Sequence, residues 1–186
     1  MSRGWVWLLV VGCGGVGLNV VQGAKLAGAQ KIIACDLLDN KLGYAKEFGA
    51  THTINAKKDD TVKAVKDLTG GLGVDYAFDA IGGAKTMEAC IDAIAPGGHA
   101  VMVGMPAFTD RAQVNPFQVV FQEKKITGTY YGSIRPPIDF GVLADLDMDK
   151  RINLDALISR TYKFDEINEG FRLLTTGAVA RGVIVF

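Results

Sequence analysis

The sequence predicts an α/β fold built on a doubly wound parallel sheet. Between residues 6 and 104, strand-like apolar runs alternate with segments of helical periodicity, and glycine-rich turns separate them. Most of the predicted strands are apolar on both faces, which is typical of a parallel sheet buried between two helical layers. From residue 132 onward the pattern changes, so we divide the chain into a domain at 1–131 and a C-terminal α/β segment at 132–186.

The first predicted unit of the sheet occupies residues 6–36. An apolar strand leads to Gly12, Gly14 and Gly17, a helical segment follows, and a second apolar strand ends at Asp36. This arrangement favours a nucleotide site. The first glycine permits a sharp turn, the second lets a pyrophosphate approach the backbone, and the third lets the helix pack closely on the strand. The helix N-terminus adds unpaired N–H groups and its positive dipole end.

Asp36 indicates which nucleotide is bound. A carboxylate at the end of the second strand can accept hydrogen bonds from both hydroxyls of an adenosine ribose, whereas a 2′-phosphate there would meet a like charge. The sequence therefore favours NAD over NADP. Two alternatives stay open on these residues: a tight turn that binds no ligand, and an S-adenosylmethionine-dependent methyltransferase, which also has a glycine-rich first turn and an acid after its second strand.

The other elements of the domain follow from periodicity and turn residues. In the sequence, strands are predicted at 51–54, 74–80, 99–104 and 126–131, and helices at 39–48, 59–68, 84–94 and 116–122. The side chains expected to face the core from the first two of these helices are Leu42, Ala45, Phe48, Val62, Val65 and Leu68. Pro96-Gly97-Gly98 should turn the chain between the helix at 84–94 and the strand that follows.

The C-terminal segment carries weaker signals. A helix ending near residue 146 should follow the prolines at 136 and 137, and the later elements are predicted as a strand at 161–164, a helix at 165–174 and a strand at 183–186. Asp165 is the expected N-cap of that last helix, because its side chain can accept a hydrogen bond from a backbone N–H of the first turn.

Composition excludes several classes of partner. Twenty basic and twenty acidic residues cancel, so the sequence offers no source for the attraction that nucleic acid or an anionic membrane surface requires. No apolar run reaches the roughly 18 residues of a membrane helix, and the start, Met-Ser-Arg-Gly-Trp, is not typical of a signal peptide. We expect a cytoplasmic protein that binds neither nucleic acid nor membrane.

The three cysteines are Cys13, Cys35 and Cys90, and no two of them have C-x-x-C spacing. The sequence therefore indicates neither a disulfide framework nor a structural zinc site, and we expect small buried side chains. Cys13 is the one candidate for oxidation, because a helix N-terminus lowers the pKa of a thiol, although we expect its side chain to pack inward.

Several motifs together carry a family resemblance. They are VGCGGVG at 11–17, IIACD at 32–36, KEFGAT at 46–51, GVDYAFDAIG at 73–82, a PGG turn followed by VMVGMP, FDEINEGFRLL at 164–174 and RGVIVF at 181–186. The sequence resembles the cofactor-binding half of the zinc-type alcohol dehydrogenases, in the medium-chain dehydrogenase/reductase superfamily, whose cofactor domain is a Rossmann fold. The methyltransferase alternative does not account for the stretch at 164–186.

The resemblance implies an oxidoreductase that transfers hydride from an alcohol to NAD, forming an aldehyde or ketone. Its implied cofactor contacts are Gly12, Gly14, Gly15, Val16, Gly17 and Arg181 at the pyrophosphate, Asp36 and Lys41 at the adenosine ribose, Ile81 at the adenine, Val103, Gly104 and Met105 at the nicotinamide, and backbone groups of Thr129 and Tyr131 near the carboxamide. The segment at 132–186 would help to complete the family's catalytic domain.

The zinc ligands of the family have no counterpart among these residues. In the family the catalytic zinc ligands precede the glycine loop, and here only eleven residues precede Gly12. His52 and His99 are far in sequence from any partner at metal-ligand spacing, so we assign them structural roles. We therefore expect a shortened family member with no catalytic residue and no metal ligand of its own. A non-catalytic nucleotide-binding module is the alternative.

The resemblance also implies self-association. In the family the stretch corresponding to residues 125–131 forms a sheet edge that pairs with the same edge of a second subunit, and an exposed edge favours such pairing. The C-terminal segment adds many apolar side chains between Ile138 and Leu174. We expect a homodimer or homotetramer.

Overall fold

The computed structural model describes residues 5–177 and 179–186 of the chain. These residues form two compact units, one that ends at Ile134 and one at Arg135–Phe186. The first four residues, on which the signal-peptide argument mainly depends, lie outside the described part of the chain.

The first unit contains a six-stranded parallel sheet in the order β3-β2-β1-β4-β5-β6. Its strands are β1 Trp7–Val11, β2 Lys31–Asp36, β3 His52–Asn55, β4 Val74–Asp79, β5 Ile94–Met102 and β6 Lys125–Gly128. The strand order reverses where β1 lies beside β4, and such a switch point opens a crevice at the carboxyl ends of the strands. The predicted doubly wound sheet is confirmed.

Five helices connect these strands. They are α1 Gly15–Leu26, α2 Asp39–Phe48, α3 Thr61–Leu68, α4 Ala84–Ala93 and α5 Pro116–Phe121. Local chemistry sets several of their ends: the Asp60 side chain accepts a hydrogen bond of 2.7 Å from the backbone N–H of Lys63 at the start of α3, and Gly49 ends α2 at a φ of 119°. Pro116 occupies the first turn of α5, where its missing N–H needs no partner.

The core lies on both faces of the sheet. Leu9 and Val11 of β1 belong to one cluster of buried side chains with Val65 of α3 and Ile91 of α4. Alternate residues of a strand point to opposite faces, so the neighbouring residues of β1 face the layer of α1 and α2. The predicted inward residues of α2, which are Leu42, Ala45 and Phe48, are all buried.

The sequence predicted three inward-facing residues on α3, but the structure buries only one of them. Val65 is fully buried, but Val62 is only partly buried and Leu68 is 39% exposed. Successive helical residues are about 100° apart, so positions three before and three after Val65 lie about 60° to either side of it. A short helix that contacts the sheet along a narrow stripe therefore buries only its central residue.

The predicted turn at Pro96-Gly97-Gly98 is wrong. These residues lie inside β5, which begins at Ile94 directly after α4. The register between β4 and β5 passes from Val74 opposite Ile94 to Tyr76 opposite His99, so β5 carries extra residues at this point. Proline and a glycine at positive φ suit a bulge as well as a turn, and the sequence pattern alone does not separate the two.

The second unit contains a parallel pair of strands and two α-helices. These elements are α6 Pro136–Met148, β7 Ile158–Lys163, α7 Ile167–Thr176 and β8 Arg181–Val185. Asp165 is not the N-cap of α7, because a 3-10 turn at Phe164–Glu166 precedes the helix. The carboxylate of Glu166 instead accepts a hydrogen bond of 2.8 Å from the backbone N–H of Lys163.

The helices in the described part of the chain are all too short or too polar to cross a bilayer.

Candidate functional site

A cleft of about 550 Å³ opens at the carboxyl ends of β1, β2 and β4, where the strand order reverses. We call it the glycine-loop cleft. It brings together five of the residues that the sequence analysis assigned to a cofactor: Gly12, Gly14, Asp36, Lys41 and Ile81.

The three glycines of the loop differ in their surroundings. Gly12 has a φ of 94°, and its N–H donates a hydrogen bond of 2.8 Å to the carbonyl of Cys35. A Cβ on Gly17 would overlap the carbonyl oxygen of Gly12, whereas a Cβ on Gly14 would have no other atom within 4 Å. Gly17 thus allows α1 to start close under the loop, and Gly14 leaves an open approach to the backbone.

Asp36 is only 9% exposed, and it fastens the loop to the end of β2. Its Oδ2 accepts a hydrogen bond of 2.8 Å from the backbone N–H of Cys13, and its Oδ1 accepts one of 3.1 Å from the N–H of Leu38. Each carboxylate oxygen can accept a further hydrogen bond, so the side chain can hold the loop and still bind a ligand in the cleft. The sequence analysis missed this structural role.

Asp79, at the end of β4, organises the turns that follow β4 and β5. Its side chain is fully buried and accepts hydrogen bonds from the N–H groups of Ile81 and Gly82, at 3.1 Å each. Its own carbonyl accepts from the N–H groups of Val103 and Gly104, at 2.9 and 2.8 Å. Sequence reasoning missed this residue, although its position directly before the Ala80-Ile81-Gly82 turn was a usable signal.

The two turns meet backbone to backbone. A Cβ on Gly82 would lie 2.6 Å from the carbonyl carbon of Gly104 and equally close to the backbone of Met105. The residues predicted at the nicotinamide, Val103 to Met105, are therefore held beside the turn that carries Ile81. They do not line the glycine-loop cleft.

The remaining predicted contacts lie elsewhere. Thr129 follows β6, and its N–H donates a hydrogen bond of 3.0 Å to the carbonyl of Met102. Tyr131 has a φ of 49°, and its largely exposed ring lies edge-on to that of Tyr130. Arg181 is the first residue of β8, in the second unit. Gly15, Val16 and Gly17 form the first turn of α1 rather than the lining of the cleft.

Several cleft residues were not predicted. They are Leu37, Lys57, Thr61, Lys85 and Thr86, among others. Leu37 and Ile81 are each about half exposed and offer two apolar side chains to the cleft. A usable signal was position, because Leu37 follows β2 and Lys57 comes two residues after β3, at the strand ends where ligands of such sheets bind.

The charged lining of the cleft suits an anionic ligand. Three lysines, Lys41, Lys57 and Lys85, line it with the single carboxylate of Asp36. Lys85 also pairs with Glu88 at 2.8 Å; the lysine side chain is largely exposed, whereas that of Glu88 is only 18% exposed. Together with the N-terminus of α1, the lysines give the cleft an excess of positive charge.

The cysteine within the glycine loop is not activated. Cys13 is 1% exposed, and burial, with a smaller effect of the Asp36 carboxylate, raises the pKa of its thiol to about 12. The prediction that this side chain packs inward is confirmed, and the suggestion of a lowered pKa is wrong. Burial also raises the pKa of Cys35 and Cys90.

The histidines bond to threonines rather than to each other. His52 Nδ1 lies 2.9 Å from Thr51 Oγ1, and His99 Nε2 lies 2.8 Å from Thr127 Oγ1. Within residues 5–177 and 179–186 no three His, Cys, Asp or Glu side chains come together as a metal site would require. These residues do not fit a zinc ion.

Comparison with known proteins identifies the family. A curated S-(hydroxymethyl)glutathione dehydrogenase of Paracoccus denitrificans is 36% identical over 185 residues, which cover 96% of this chain and 49% of that protein. Benzyl alcohol dehydrogenase from Acinetobacter calcoaceticus superimposes with a TM-score of 0.92 at 32% identity, over 96% of this chain and 49% of the other. A structure from Sinorhizobium meliloti 1021 bound to NADP gives a TM-score of 0.82 at 29% identity, over 90% of this chain and 48% of the other.

The chain thus spans about half the length of these relatives. Residues 15–146 match the family model described as zinc-binding dehydrogenase, and this range includes α1, the Asp36 strand and the turns after β4 and β5. The chain belongs to the zinc-binding dehydrogenase family.

Proposed function

We propose that this chain is the NAD-binding portion of a zinc-type alcohol dehydrogenase. The observation that carries the proposal is the glycine-loop cleft, in which an open backbone approach at Gly14 and the carboxylate of Asp36 lie at the same sheet edge. The cleft volume and its positive charge suit the adenosine end of a dinucleotide. When bound, the nicotinamide supplies hydride transfer to or from the carbon of an alcohol or carbonyl compound.

The residues of the cleft would bind the adenosine half of the cofactor. The first-turn N–H groups of α1 lack acceptors within the helix and would donate to the pyrophosphate. Asp36 would accept from the ribose hydroxyls with Lys41 beside it, and the adenine would lie between Leu37 and Ile81.

The nicotinamide half would lie along the ends of β5 and β6. By family resemblance, Val103, Gly104 and Met105 would flank the ring, and backbone groups of Thr129 and Tyr131 would bind its carboxamide. Arg181 would pair with the pyrophosphate. The bond from Thr129 to Met102, which joins the ends of these two strands, supports this grouping for Thr129.

NAD is proposed as the preferred cofactor because Asp36 would repel a 2′-phosphate. The Sinorhizobium meliloti relative is bound to NADP, so the preference needs a direct test. Family membership gives no support to the methyltransferase alternative.

The substrate would be a small alcohol or aldehyde, as the names of the Paracoccus and Acinetobacter relatives suggest. Zinc ligands and most of the substrate pocket would lie in the half of these relatives that this chain does not match. A non-catalytic nucleotide-binding module therefore stays the second candidate. A homodimer or homotetramer is also proposed, supported by the position of β6 at the edge of the sheet with its four residues exposed. A cytoplasmic location is proposed from the sequence alone.

Titration of the purified chain with NADH, followed by calorimetry or by cofactor fluorescence, tests the binding proposal. Saturable binding of NADH, and none of S-adenosylmethionine, is expected. Binding of S-adenosylmethionine without any dinucleotide binding would overturn the proposal.

Turnover separates the two candidate functions. The chain alone should form no NADH from benzyl alcohol, with or without added zinc. Fusion to the N-terminal half of the Acinetobacter relative should restore NADH formation if the chain is the cofactor half of a dehydrogenase. A folded fusion that binds NADH and zinc without turnover would favour the non-catalytic module.

A further inference from the structure

Lys57 lies in the glycine-loop cleft two residues after the end of β3. Its backbone N–H donates a hydrogen bond of 2.9 Å to the side-chain oxygen of Asn55, which fixes the local chain. The residue is exposed, and within the described residues its ammonium group forms no ion pair. A flexible, unpaired cation is thus attached to a fixed backbone position in the cleft.

The next residue provides a direct contrast. Lys58 is also exposed, but its ammonium group pairs with Asp39 at 2.9 Å, and the residue does not line the cleft. Two adjacent lysines therefore have the same charge and similar exposure, but only Lys57 is available to a ligand.

Asp36 opposes phosphate less strongly than its charge alone suggests. Both of its oxygens already accept backbone N–H groups, from Cys13 and Leu38, and these donors offset part of the negative potential of the carboxylate. Lys41 and Lys57 line the same cleft. The lining of the cleft therefore combines one partly compensated anion, Asp36, with the cations Lys41, Lys57 and Lys85.

We propose that Lys57, together with Lys41, forms a subsite for the 2′-phosphate of NADP. This inference rests on the proposed function, because it places the adenosine ribose at Asp36. An ammonium group on a flexible side chain binds a phosphate as a point charge without fixed geometry. Lys57 thus counteracts Asp36, and the chain binds both dinucleotides with a preference for NADH that Lys57 keeps small.

The test compares Lys57→Ala with the matched control Lys58→Ala, both titrated calorimetrically with NADH and NADPH. Lys57→Ala should weaken NADPH binding about tenfold and NADH binding less than about twofold. Lys58→Ala should change neither by more than about twofold. The loss of NADPH affinity in Lys57→Ala should become smaller as salt is added, because an exposed contact between Lys57 and the 2′-phosphate is screened by salt.

A second pair of probes isolates the phosphate. Adenosine 2′,5′-bisphosphate should lose affinity in Lys57→Ala, whereas 5′-AMP should not. An unchanged ratio of NADPH to NADH affinity in Lys57→Ala, or an equal loss in Lys58→Ala, would overturn the inference and leave the proposed function standing. Failure of the unmodified chain to bind either dinucleotide would overturn the proposed function and this subsite with it.

Discussion

The backbone N–H of Cys13 donates a hydrogen bond of 2.8 Å to Oδ2 of Asp36, and this bond ties the glycine loop to the end of β2. Both residues are buried. Asp36 therefore has two roles, because the carboxylate that faces the cleft also satisfies a loop N–H that burial shields from water. A substitution there should change stability as well as cofactor choice.

Asp36→Ala should lower the free energy of unfolding by about 1–3 kcal/mol, because the buried N–H of Cys13 loses its acceptor. The same change should narrow the difference between NADH and NADPH affinity, since ribose hydrogen bonds and charge repulsion are lost together. Urea denaturation and calorimetric titration measure the two effects. Asp36→Asn keeps an acceptor oxygen and should recover part of the stability without the repulsion. Unchanged stability in Asp36→Ala would contradict the assigned role.

Alanine substitutions should separate the structural glycine from the ligand-facing one. Gly17→Ala should destabilise the chain by about 1–3 kcal/mol, because the new Cβ overlaps the carbonyl of Gly12. Gly14→Ala should fold normally, since its Cβ meets nothing within 4 Å, but should bind NADH more weakly. Gly23→Ala, in an open position of α1, is the control and should stabilise the helix by about 0.5–1 kcal/mol. Wild-type NADH affinity in Gly14→Ala would argue against pyrophosphate at this loop.

The thiols should be unreactive in the folded chain. Cys13, Cys35 and Cys90 are each at most 1% exposed, and burial raises the pKa of all three. Reaction with a disulfide reagent near neutral pH should be slow for the native protein and rapid in denaturant, where all three thiols become accessible. Fast reaction of Cys13 in the native state, located by mass spectrometry, would contradict the buried position found here.

The strand, glycine loop and Asp36 were predictable because their signals are local. Gly12, Gly14 and Gly17 have separate steric tasks within six residues, and Asp36 ends an unbroken apolar strand. The core face of α2 was equally readable, since Leu42, Ala45 and Phe48 follow helical spacing and are all buried.

Roles that depend on contacts between distant residues were not predictable, although position at a strand end marked some of these residues as candidates. The bulge in β5 is defined by its register with β4, which no local pattern encodes. Asp79 reads as an ordinary strand-end acid until the N–H groups of two turns are seen to converge on its side chain and carbonyl. In the sequence, Lys57 resembles an ordinary surface charge. It lies in the cleft with Asp36 because β3 pairs with β2, which brings the ends of the two strands together.

His52 should make the fold sensitive to mild acid. The side chain is partly buried at the start of β3, beside Thr51 and 5.7 Å from the ring of Trp7 between centroids. Burial, and secondarily the charge of Lys31, lowers its pKa below the ordinary value of 6.5. As the pH falls below 6.5, His52 is therefore protonated in the unfolded chain before it is protonated in the folded chain. The contribution of neutral His52 to the free energy of unfolding is complete above pH 6.5, and it is lost as the pH falls through the pKa of His52 in the folded chain.

The measurement is a series of urea denaturation curves between about pH 7.5 and about pH 5. The free energy of unfolding should fall with acidification in the unmodified chain. His52→Gln should reduce the slope of this free energy against pH, because a neutral amide takes up no proton. Other groups that titrate in this range contribute equally to both proteins and cancel in the difference. A slope that is the same in both proteins, or a histidine resonance assigned to residue 52 that titrates above pH 6.5 in the folded chain, would show that His52 does not carry the effect.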